Sequence, residues 1–425
     1  MTEIVYQKKL IKVSSSDNNN KFWNITAYKN GVIEREWGRV SKTPRTKKET
    51  VSSPEHYATN LLNKKLKDGY REVETIDSAS SSHVNDNLKE TALTQLTKDK
   101  TKEVQELIEN LVDSNIHNIL KNTSLQYDKN SGLFSTPLGI IGNESIRKAR
   151  KKLDEITVKI TKKTFDKEWT QLCEDYLMIV PHEVGSRIKL ESILGTLDHI
   201  QKETNILKSL EASIEMAKKQ STQKNQSEQE KLFDVDIDLV TDEKIINYVK
   251  NKFTRNLSKN HPSSRLKVNR VFELNIKNMT EKFSEIEESV GNKRKLWHGT
   301  RVGNLLSILH KGMIIPPSQS GIVTGRMFGN GLYFSDISTK ALNYSYGTWN
   351  RTGLSTSNCY YALICNVLLG KEFQADRTHF QDQNHYPRKG YDSTIAKSGT
   401  LNLVNNEMIV YKTEQVAPKY LVEFV

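Results

Sequence analysis

Gly329 and Gly331, in the stretch GRMFGNGLYFSD at residues 325–336, could either cradle a nucleotide phosphate or form a tight turn. A dinucleotide-binding loop has the pattern G-x-G-x-x-G before a helix, but Phe334 occupies the third glycine position and the residues after Gly331 favour a strand. A Walker loop needs Gly-Lys-Ser/Thr after its second glycine, and this is missing too. The spacing therefore predicts that Gly329 and Gly331 form a turn leading into a strand that carries Tyr333.

Three polar side chains lie at the edges of short strand candidates in the last third of the chain. They are His298 in WHGT, Tyr333 in GLYFSD and Glu407 in NNEMIVY. Taken alone, each has an ordinary structural explanation: a hydrogen-bonded residue at a strand end, a core aromatic and a solvated strand residue. These separate explanations do not account for their occurrence together, in this order and with these neighbours.

The region from Arg294 to Val425 closely resembles the catalytic domain of the poly(ADP-ribose) polymerases, whose His-Tyr-Glu triad corresponds to His298, Tyr333 and Glu407. The stretch EWGRV with its flanking hairpin resembles the WGR domain of the DNA-dependent members, and VQELIENLV, TPLGIIG and YLMIVPHEVG resemble their helical regulatory domain. This resemblance implies a multidomain α+β fold. Its parts are a small β-sheet-plus-helix WGR domain, an all-α helical regulatory domain and a mixed, mainly antiparallel β ADP-ribosyltransferase catalytic domain.

The expected division is a DNA-binding WGR domain over 1–76, a linker over 77–97, an autoinhibitory helical domain over 98–228 and the catalytic domain over 229–425. Residues 77–97 are rich in Ser, Asn and Asp without periodicity, which is typical of a linker. In the resembled enzymes, the helical domain shields the NAD+ site until DNA binding loosens it. Such a switch needs a domain with a low local free energy of unfolding.

The resemblance implies NAD+ as the substrate and no metal. Loss of nicotinamide from NAD+ leaves positive charge on the ribose, as in glycoside chemistry. A nearby carboxylate can hydrogen-bond the ribose hydroxyls, stabilise that charge and help to deprotonate an acceptor hydroxyl, and Glu407 is the candidate for this role. Lys340 would lie near Glu407, where a cation helps to keep the carboxylate ionised.

The resemblance also implies the contacts to NAD+. His298 would bind the adenine-side ribose, and the backbone of Gly299 would hold the nicotinamide carboxamide, because a residue without a Cβ allows close approach. The rings of Tyr333 and Tyr344 would stack on the two faces of the nicotinamide. Further residues of the same motifs complete the expected binding set: Thr300, Phe334 and Arg326.

Two residues depart from the family pattern. Ala341 stands where the family usually has a serine that donates to the nicotinamide carbonyl, and loss of that hydrogen bond would cost ~0.5–1.5 kcal/mol. Arg326 stands where tyrosine is common, and its side chain would face either the pyrophosphate or solvent. We therefore expect NAD+ affinity and inhibitor binding to differ from the family norm.

The N-terminal segment has the features of a DNA-binding surface. Residues 1–76 contain 15 Lys and Arg against 9 Asp and Glu, about half of the chain's net charge of +12, which is typical of a polyanionic partner. Trp37 is expected either to anchor a small sheet or to stack on DNA, and Arg39 to contact the DNA backbone or a DNA end. The expected DNA-binding set is Trp37, Gly38, Arg39, Lys42 and Arg45. Phosphate contacts are expected from Lys42, Arg45, Lys47 and Lys48.

The elements that must position these residues can be predicted from periodicity. Alternation predicts a hairpin over 22–40 with its turn at Lys-Asn-Gly, and helical spacing predicts a helix over 53–68. Asn143 or Ser145 is expected to cap a helix in the middle of the chain. Six short strands are predicted in the last third: VFELNI, KLWHGT, GLYFSD, YYALICNVLL, EMIVY and KYLVEFV. Apolar stripes predict helices around residues 104–112, 146–156 and 193–200.

Composition limits the class of protein. The best apolar run, YYALICNVLLG, is far short of the ~20 residues that a membrane span needs, and the N-terminus has no apolar signal region. Only three cysteines occur, with no C-x-x-C pair, so we expect small core residues, no zinc site and a reducing, intracellular compartment. That compartment would be the nucleus in a eukaryote or the cytoplasm in a bacterium. The expected protein is a monomer off DNA, with broken or nicked DNA and acceptor proteins, itself included, as partners.

The leading hypothesis is a DNA-break-stimulated, NAD+-dependent poly(ADP-ribosyl)transferase that modifies proteins, including itself. One alternative is a mono-ADP-ribosyltransferase, because elongation also needs an acceptor pocket and the segment expected to form it, residues 376–403, is short. The other is a non-catalytic DNA-binding scaffold with a degenerate NAD+ pocket. Ala341 favours that reading, whereas the intact triad argues against it.

Overall fold

The computed structural model describes residues 3–72, 92, 95–97, 99–128, 133–184, 187–222, 233–315, 327–346, 359–376, 386–400 and 403–425. Most of the expected linker, 77–97, lies outside the described residues. The chain divides into two compact units: Met1–Asn87 with Asn118–Thr222, and Leu88–His117 with Gln223–Val425. Both contain helices and mainly antiparallel sheets, which confirms the predicted multidomain α+β class.

A five-stranded antiparallel sheet begins the first unit, in the order β4-β3-β2-β1-β5. The predicted hairpin is present, with Lys21 opposite Arg39 and Ala27 opposite Ile33. Its turn contains Gly31 at φ +88°, where a Cβ would also lie 2.7 Å from a backbone oxygen, so this position needs glycine. The strands are β1 Ile4–Ser14, β2 Asn19–Tyr28, β3 Val32–Arg39, β4 Arg45–Thr50 and β5 Arg71–Glu72.

Helix α1, Pro54–Lys67, confirms the helix predicted after the hairpin. Its Ala58 and Leu62 join a hydrophobic cluster with strand residues that include Leu10 and Ile25. Alternate residues of a strand face the same side of a sheet, so this helix buries one face of the five-stranded sheet.

Helices follow the sheet in the first unit. The stripe over 193–200 is divided between two helices, because the first of them ends at Gly195. The predicted capping by Asn143 or Ser145 is wrong: Gly142 is the N-cap, it has no side chain to accept a hydrogen bond, and Asn143 is already helical. The helices are α2 Lys102–Asn122, which has residues in both units, α3 Asn143–Thr161, α4 Lys167–Ile179, α5 Leu190–Leu194 and α6 Leu197–Thr222.

The helical part also contains a small sheet that was not predicted. Its three antiparallel strands precede and include the stretch TPLGI. In that stretch the Thr136 hydroxyl accepts a hydrogen bond from the Leu138 N–H at 2.9 Å and closes the turn. The region is therefore helical with this one addition. The strands are β6 Gln126–Asp128, β7 Leu133–Thr136 and β8 Gly139–Ile140.

Two sheets organise the second unit, in the orders β11-β13-β17-β10-β9 and β12-β16-β15-β14. All strand pairs in them are antiparallel except β14 with β15. All six predicted strands are present. The strands are β9 Val235–Leu239, β10 Val268–Ile276, β11 Lys293–His298, β12 Leu332–Phe334, β13 Tyr360–Leu368, β14 Glu372–Gln374, β15 Ser393–Ala396, β16 Glu407–Val410 and β17 Val416–Phe424.

Four α-helices of the second unit were not predicted from the sequence. Two of them end at glycines with positive φ, Gly291 at +68° and Gly312 at +78°, a common way to stop a helix. The helices are α7 Glu243–Arg255, α8 Lys277–Val290, α9 Val302–Lys311 and α10 Ser338–Tyr346. Helix α10 packs against the sheet through Ala341 and Leu342, beside the fully buried Trp297.

Composition led to expectations about the burial of cysteines, membrane-spanning segments and metal sites. Cys173 and Cys365 are buried, as expected of core cysteines, whereas Cys359 is partly exposed. No described helix is both long enough and apolar enough to cross a bilayer. Within the same described ranges, no three His, Cys, Asp or Glu side chains come together in a way that could hold a metal ion.

Candidate functional site

The two sheets of the second unit meet where the candidate catalytic residues lie. His298 is the last residue of β11, Tyr333 is in β12, Lys340 is in α10, and Glu407 begins β16. The two sheets are joined here because Trp297 and the residue after β12, Ser335, exchange backbone hydrogen bonds of 2.9 and 3.0 Å. Residues separated by more than a hundred positions are thereby placed around one edge.

His298 is oriented by the strand that carries Tyr333. Its Nδ1 lies 2.9 Å from the Tyr333 carbonyl oxygen, and a carbonyl only accepts, so Nδ1 carries the hydrogen. The buried Phe334 ring packs beside the imidazole, with ring centroids 5.5 Å apart. Phe334, which was expected among the NAD+ contacts, therefore supports the His298 ring from within the core.

The predicted glycine turn is confirmed, and it holds the Tyr333 hydroxyl. That hydroxyl donates to the Gly329 carbonyl at 2.9 Å and accepts from the Phe328 N–H at 3.0 Å. Gly329 has φ +82°, and a Cβ at Gly331 would lie 2.6 Å from the Val410 carbonyl oxygen. Both positions need glycine, and the turn fixes the direction in which the Tyr333 ring points.

Lys340 and Glu407 form an ion pair, with Nζ 2.6 Å from Oε1. Their side chains are 11% and 12% exposed, so water screens the pair only weakly. Burial lowers the pKa of Lys340 below its ordinary value, although the Glu407 charge acts in the opposite direction. The structure thus brings together the expected carboxylate and cation, from a strand and a helix that are far apart in sequence.

Gly299 is pressed against helix α10. A Cβ at this position would lie 1.7 Å from the Ala341 carbonyl oxygen, so no other residue fits without moving the helix. The packing of α10 is therefore enough to require glycine at position 299, without any contact to a ligand. The side chain of Ala341, on α10, is buried in the core against the sheet.

The other expected contact residues lie in the same region. Tyr344, in α10, is 42% exposed, and partial burial, followed by the Glu407 charge, raises the pKa of its hydroxyl to about 12. The Thr300 hydroxyl accepts a hydrogen bond from Asn304 at 3.2 Å. Arg326 lies outside the described residues.

Several polar residues around the site were missed in the sequence. Ser335 and Asp336 follow Tyr333 closely in the motif GLYFSD, and Asn406 directly precedes Glu407 in NNEMIVY. The buried His261 lies farther off in the chain and is hydrogen-bonded through Nδ1 to the Thr339 hydroxyl at 2.9 Å. The motif neighbours could have been found by position, whereas no local pattern marked His261.

The five candidate DNA-binding residues lie on β3, on β4 and in the turn that joins these strands. Trp37 is partly buried against the core of the sheet, opposite Trp23 on one side and Arg45 on the other, in agreement with the anchoring alternative. Arg39 is partly buried, and its guanidinium donates to the backbone and side-chain oxygens of Asn18 at 3.4 and 3.5 Å.

The remaining members of this set differ in exposure. Lys42 and Arg45 are exposed and can reach a polyanion. A Cβ at Gly38 would make only ordinary contacts, the nearest being 3.5 Å from Pro44. Local packing therefore does not require glycine at this position.

Three family models match the chain in succession. They are the WGR domain over 6–76, the poly(ADP-ribose) polymerase regulatory domain over 100–237, and the poly(ADP-ribose) polymerase catalytic domain over 242–425. These matches confirm the three-part resemblance seen in the motifs, in the same order along the chain.

Individual relatives are distant but extensive. Poly(ADP-ribose) polymerase 2-A of Oryza sativa subsp. japonica is 24% identical over 98% of this chain and 69% of its own length. Poly(ADP-ribose) polymerase 2 of Zea mays is 26% identical over 67% of this chain and 47% of its own length. Poly(ADP-ribose) polymerase 1 of Xenopus laevis is 25% identical over 99% of this chain and 44% of its own length. The chain thus spans about two thirds of the rice protein and less than half of the other two.

Proposed function

Because the chain belongs to the poly(ADP-ribose) polymerase family, we propose that it is a DNA-break-stimulated, NAD+-dependent poly(ADP-ribosyl)transferase that modifies proteins, itself included, and releases nicotinamide. The observation that carries this proposal is the ion pair between Lys340 and Glu407, next to the strands that hold His298 and Tyr333. A cation and a carboxylate in this partly closed setting suit a reaction that develops positive charge on a ribose.

In the proposed mechanism, Glu407 acts on both sides of the reaction. As the bond from ribose to nicotinamide breaks, its carboxylate stabilises the oxocarbenium-like charge on the sugar. It then accepts the proton of the attacking acceptor hydroxyl. The adjacent Lys340 holds the carboxylate in position before the acceptor arrives, since its ammonium donates to Glu407 Oε1 at 2.6 Å.

The proposed NAD+ cradle consists of residues on β11, β12 and α10. His298 binds the adenine-side ribose, while the Gly299 backbone holds the nicotinamide carboxamide. The rings of Tyr333 and Tyr344 stack on the nicotinamide, for which the large exposed fraction of Tyr344 leaves ring surface available. Thr300 and Phe334 support these groups.

For the N-terminal sheet we propose binding of broken or nicked DNA through Arg39, Lys42 and Arg45, with Trp37 and Gly38 shaping the surface. Asn18 links this surface to the helical part of the same unit. Its side-chain oxygen accepts from Arg39 and also from the backbone N–H of Ile188 at 3.1 Å. A contact of DNA with Arg39 would therefore act on the helical part through one shared acceptor.

Further hydrogen bonds join the N-terminal part of this unit to helix α4 and to the turn between β7 and β8. Glu174 in α4 accepts from the Ser15 N–H at 2.5 Å and from its hydroxyl at 2.8 Å, and Asn24 donates to the Pro137 carbonyl at 2.7 Å. These polar contacts support the proposal that DNA binding at 1–76 controls an autoinhibitory helical domain over 98–228.

The helical part also has a polar centre. The buried Glu203 accepts from Tyr176 at 2.8 Å and lies 3.1 Å from the His182 ring. Its attraction, against the effect of burial, leaves the pKa of His182 above its ordinary value. A core that depends on such a network is lost as a unit when one partner moves, as a domain that opens on a signal requires.

The proposed domain division keeps the linker at 77–97 and the catalytic domain at 229–425. We further propose a nuclear location in a eukaryote, or a cytoplasmic one in a bacterium, and a monomer in the absence of DNA. NAD+ is the substrate, and acceptor proteins and broken DNA are the partners.

The test is incubation with labelled NAD+, with and without nicked or broken DNA. We expect label on the protein itself, increased by DNA, as a ladder on a denaturing gel. One discrete band would instead indicate transfer of single ADP-ribose units. Absence of DNA-stimulated label would contradict the proposal. Arg39→Ala is the matched variant for the DNA arm, and it should lose the stimulation while the DNA-independent rate stays.

A further inference from the structure

From the hydrogen bonds around the β12–α10 turn, we infer that Asn406 is a positioning residue for the reaction. It holds the Lys340–Glu407 pair in place through Asp336, Ser335 and the Ser398 backbone. This inference rests on the proposed function, because it concerns how the catalytic carboxylate is aimed. Asn406 itself makes no proposed contact with NAD+ or with the acceptor.

The backbone carbonyl of Asn406 holds two donors. It accepts from the Ser335 hydroxyl at 3.0 Å and from the Lys340 ammonium at 3.2 Å. Lys340 thus donates to two consecutive residues, since its Nζ also lies 2.6 Å from Glu407 Oε1. The ammonium is fixed between the carbonyl that precedes Glu407 and the carboxylate itself, so the position of one peptide unit decides the geometry of the pair.

The side chain of Asn406 uses both ends of its amide. Its Nδ2 donates to Asp336 Oδ2 at 2.8 Å, and its Oδ1 accepts from the Ser398 N–H at 2.9 Å. This pattern also settles which amide atom is the oxygen, because a carboxylate cannot donate and a backbone N–H cannot accept. The segment just before β16 is therefore attached to two separate loops.

Asp336 and Ser335 connect this residue to the rest of the site. Both follow β12, which carries Tyr333, and Ser335 exchanges backbone hydrogen bonds with Trp297, the residue before His298. Asn406 is therefore the point at which the elements carrying all four candidate catalytic residues meet. A displacement of about 1 Å at such a point can reduce turnover by as much as about 100-fold.

The preceding residue, Asn405, anchors the same segment on another side. Its Nδ2 lies 3.4 Å from His261 Nε2, and His261 Nδ1 lies 2.9 Å from the Thr339 hydroxyl. Thr339 directly precedes Lys340 in α10. The two asparagines of NNEMIVY thus connect the Glu407 segment to neighbouring positions of one helix, which explains why a polar pair stands before a buried strand.

Asn406→Asp tests the inference with little change of shape. The new carboxylate oxygen would face Asp336 Oδ2, so the hydrogen bond becomes a repulsion between like charges. We expect kcat to fall about 10- to 100-fold with little change in the KM for NAD+, because geometry at the reacting carboxylate is lost while the cradle is intact.

The reciprocal exchange is the decisive variant. In Asp336→Asn with Asn406→Asp, the amide of residue 336 donates to the carboxylate of residue 406, and the hydrogen bond is restored with donor and acceptor reversed. The double variant should recover kcat to within about threefold of the wild type, well beyond the sum of the single effects. A wild-type kcat in Asn406→Asp, or a double variant no better than that single variant, would overturn the inference.

Asn269→Asp is the matched control for a merely structural effect. Asn269 donates to the buried Glu423 at 2.6 Å, so this change also places an acid against a carboxylate in the same unit. It should lower the unfolding temperature while kcat of the folded protein stays at the wild-type value. If its kcat falls as far as that of Asn406→Asp, the role of Asn406 is structural and the inference is wrong.

A second readout does not depend on catalysis. The rate at which an amine-selective reagent modifies Lys340, followed by mass spectrometry, should rise at least about threefold in Asn406→Asp and return in the double variant, because the amine is buried only while its acceptors stay in place. If the wild type transfers no label from NAD+, the proposed function fails, and this measurement alone decides whether Asn406 positions the pair. An unchanged modification rate would contradict the inference.

Discussion

Two carboxylates in the second unit, Glu407 and Glu423, each pair with one cation within the described ranges, but their surroundings differ. Glu423 is fully buried and receives two hydrogen bonds from Arg270, at 2.8 and 2.9 Å. It also receives one from Asn269 at 2.6 Å and one from Tyr361 at 3.0 Å. These donors hold the pKa of Glu423 below its ordinary value in spite of its burial.

Among the residues that the structure describes, Glu407 pairs with one cation, Lys340, and it keeps part of its surface exposed. The planar guanidinium of Arg270 binds a carboxylate with two parallel hydrogen bonds and stays charged. The ammonium of Lys340 is a compact charge that can lose its proton. A carboxylate that is fully occupied by donors stabilises a fold. One that is held on one side by a titratable cation remains available to a substrate, and this difference separates the structural pair from the pair proposed to be catalytic.

The largest expected effect is on catalysis. Glu407→Gln removes the negative charge with nearly the same shape, so polymer formation should fall about 100- to 10,000-fold. DNA binding and the unfolding temperature should stay close to wild type, because Glu407 is not a saturated structural acceptor. Labelled NAD+ assays with parallel thermal unfolding check this. Unchanged polymer formation would mean that another carboxylate performs the chemistry.

Arg270→Ala should produce the opposite result. It leaves Glu423 as a buried charge without its cation, so the free energy of unfolding should fall by about 3–5 kcal/mol, measured by urea denaturation. The variant Arg270→Met with Glu423→Gln removes the uncompensated charge and should recover most of this loss. A stable Arg270→Ala protein would contradict the structural role given to this pair.

Tyr361→Phe removes one donor from Glu423 and should lower the free energy of unfolding by about 1.5–3 kcal/mol, since a hydrogen bond to a buried charge is lost. The kcat of the folded protein should not change. Tyr420→Phe is the control. Tyr420 lies in strand β17 and, among the described contacts, makes no hydrogen bond to Glu423. Equal losses in the two variants would show that the Glu423 contact has no special weight.

The smallest expected effect is that of alkaline pH, which should discharge Lys340 but not Arg270. Burial places the pKa of Lys340 below 10.5, so kcat should fall about twofold when the pH reaches that lowered pKa. A lysine with a lowered folded pKa costs stability while it is charged, and this cost is relieved as the pH rises. Deprotonation of Lys340 should therefore lower kcat without lowering the stability of the protein.

The matched variant for this pH profile is Lys340→Arg. Its guanidinium stays charged, so any remaining activity should persist to higher pH. The measurement is kcat against pH, with the unfolding temperature followed in the same buffers. A wild-type profile that is flat up to pH 10.5 would contradict the lowered pKa of Lys340.

Local patterns predicted those parts of the fold that depend on neighbouring residues. The hairpin with Gly31 at its turn, the glycine turn before β12 and the six strands were found because turn residues and alternation are local signals. Helices α7 to α10 were not predicted, because their short apolar stripes lie between strong strand signals in the sequence. The cap at Gly142 was missed because its neighbours have the better capping side chains.

The candidate site was predicted in its residue types but not in its geometry. The motifs named His298, Tyr333, Lys340 and Glu407, yet no sequence pattern shows that Lys340 and Glu407 lie 2.6 Å apart. The close approach of the Ala341 carbonyl to Gly299 could not be predicted either, since this carbonyl belongs to a helix that begins about forty positions later. Contacts of this kind depend on how elements pack.

The amino-acid sequence by itself determined the order of the domains, the strands that carry the triad and the glycine turn, because each depends on residues close together in the chain. In that sequence Glu407 and Glu423 are alike, since both are glutamates in short apolar strands. Only the tertiary structure decided their difference. In the part of the chain that the structure describes, Glu423 receives four hydrogen bonds from three residues, whereas Glu407 has one titratable lysine at a partly open edge. Donors that are distant in sequence reach a carboxylate only when the sheets and helices pack.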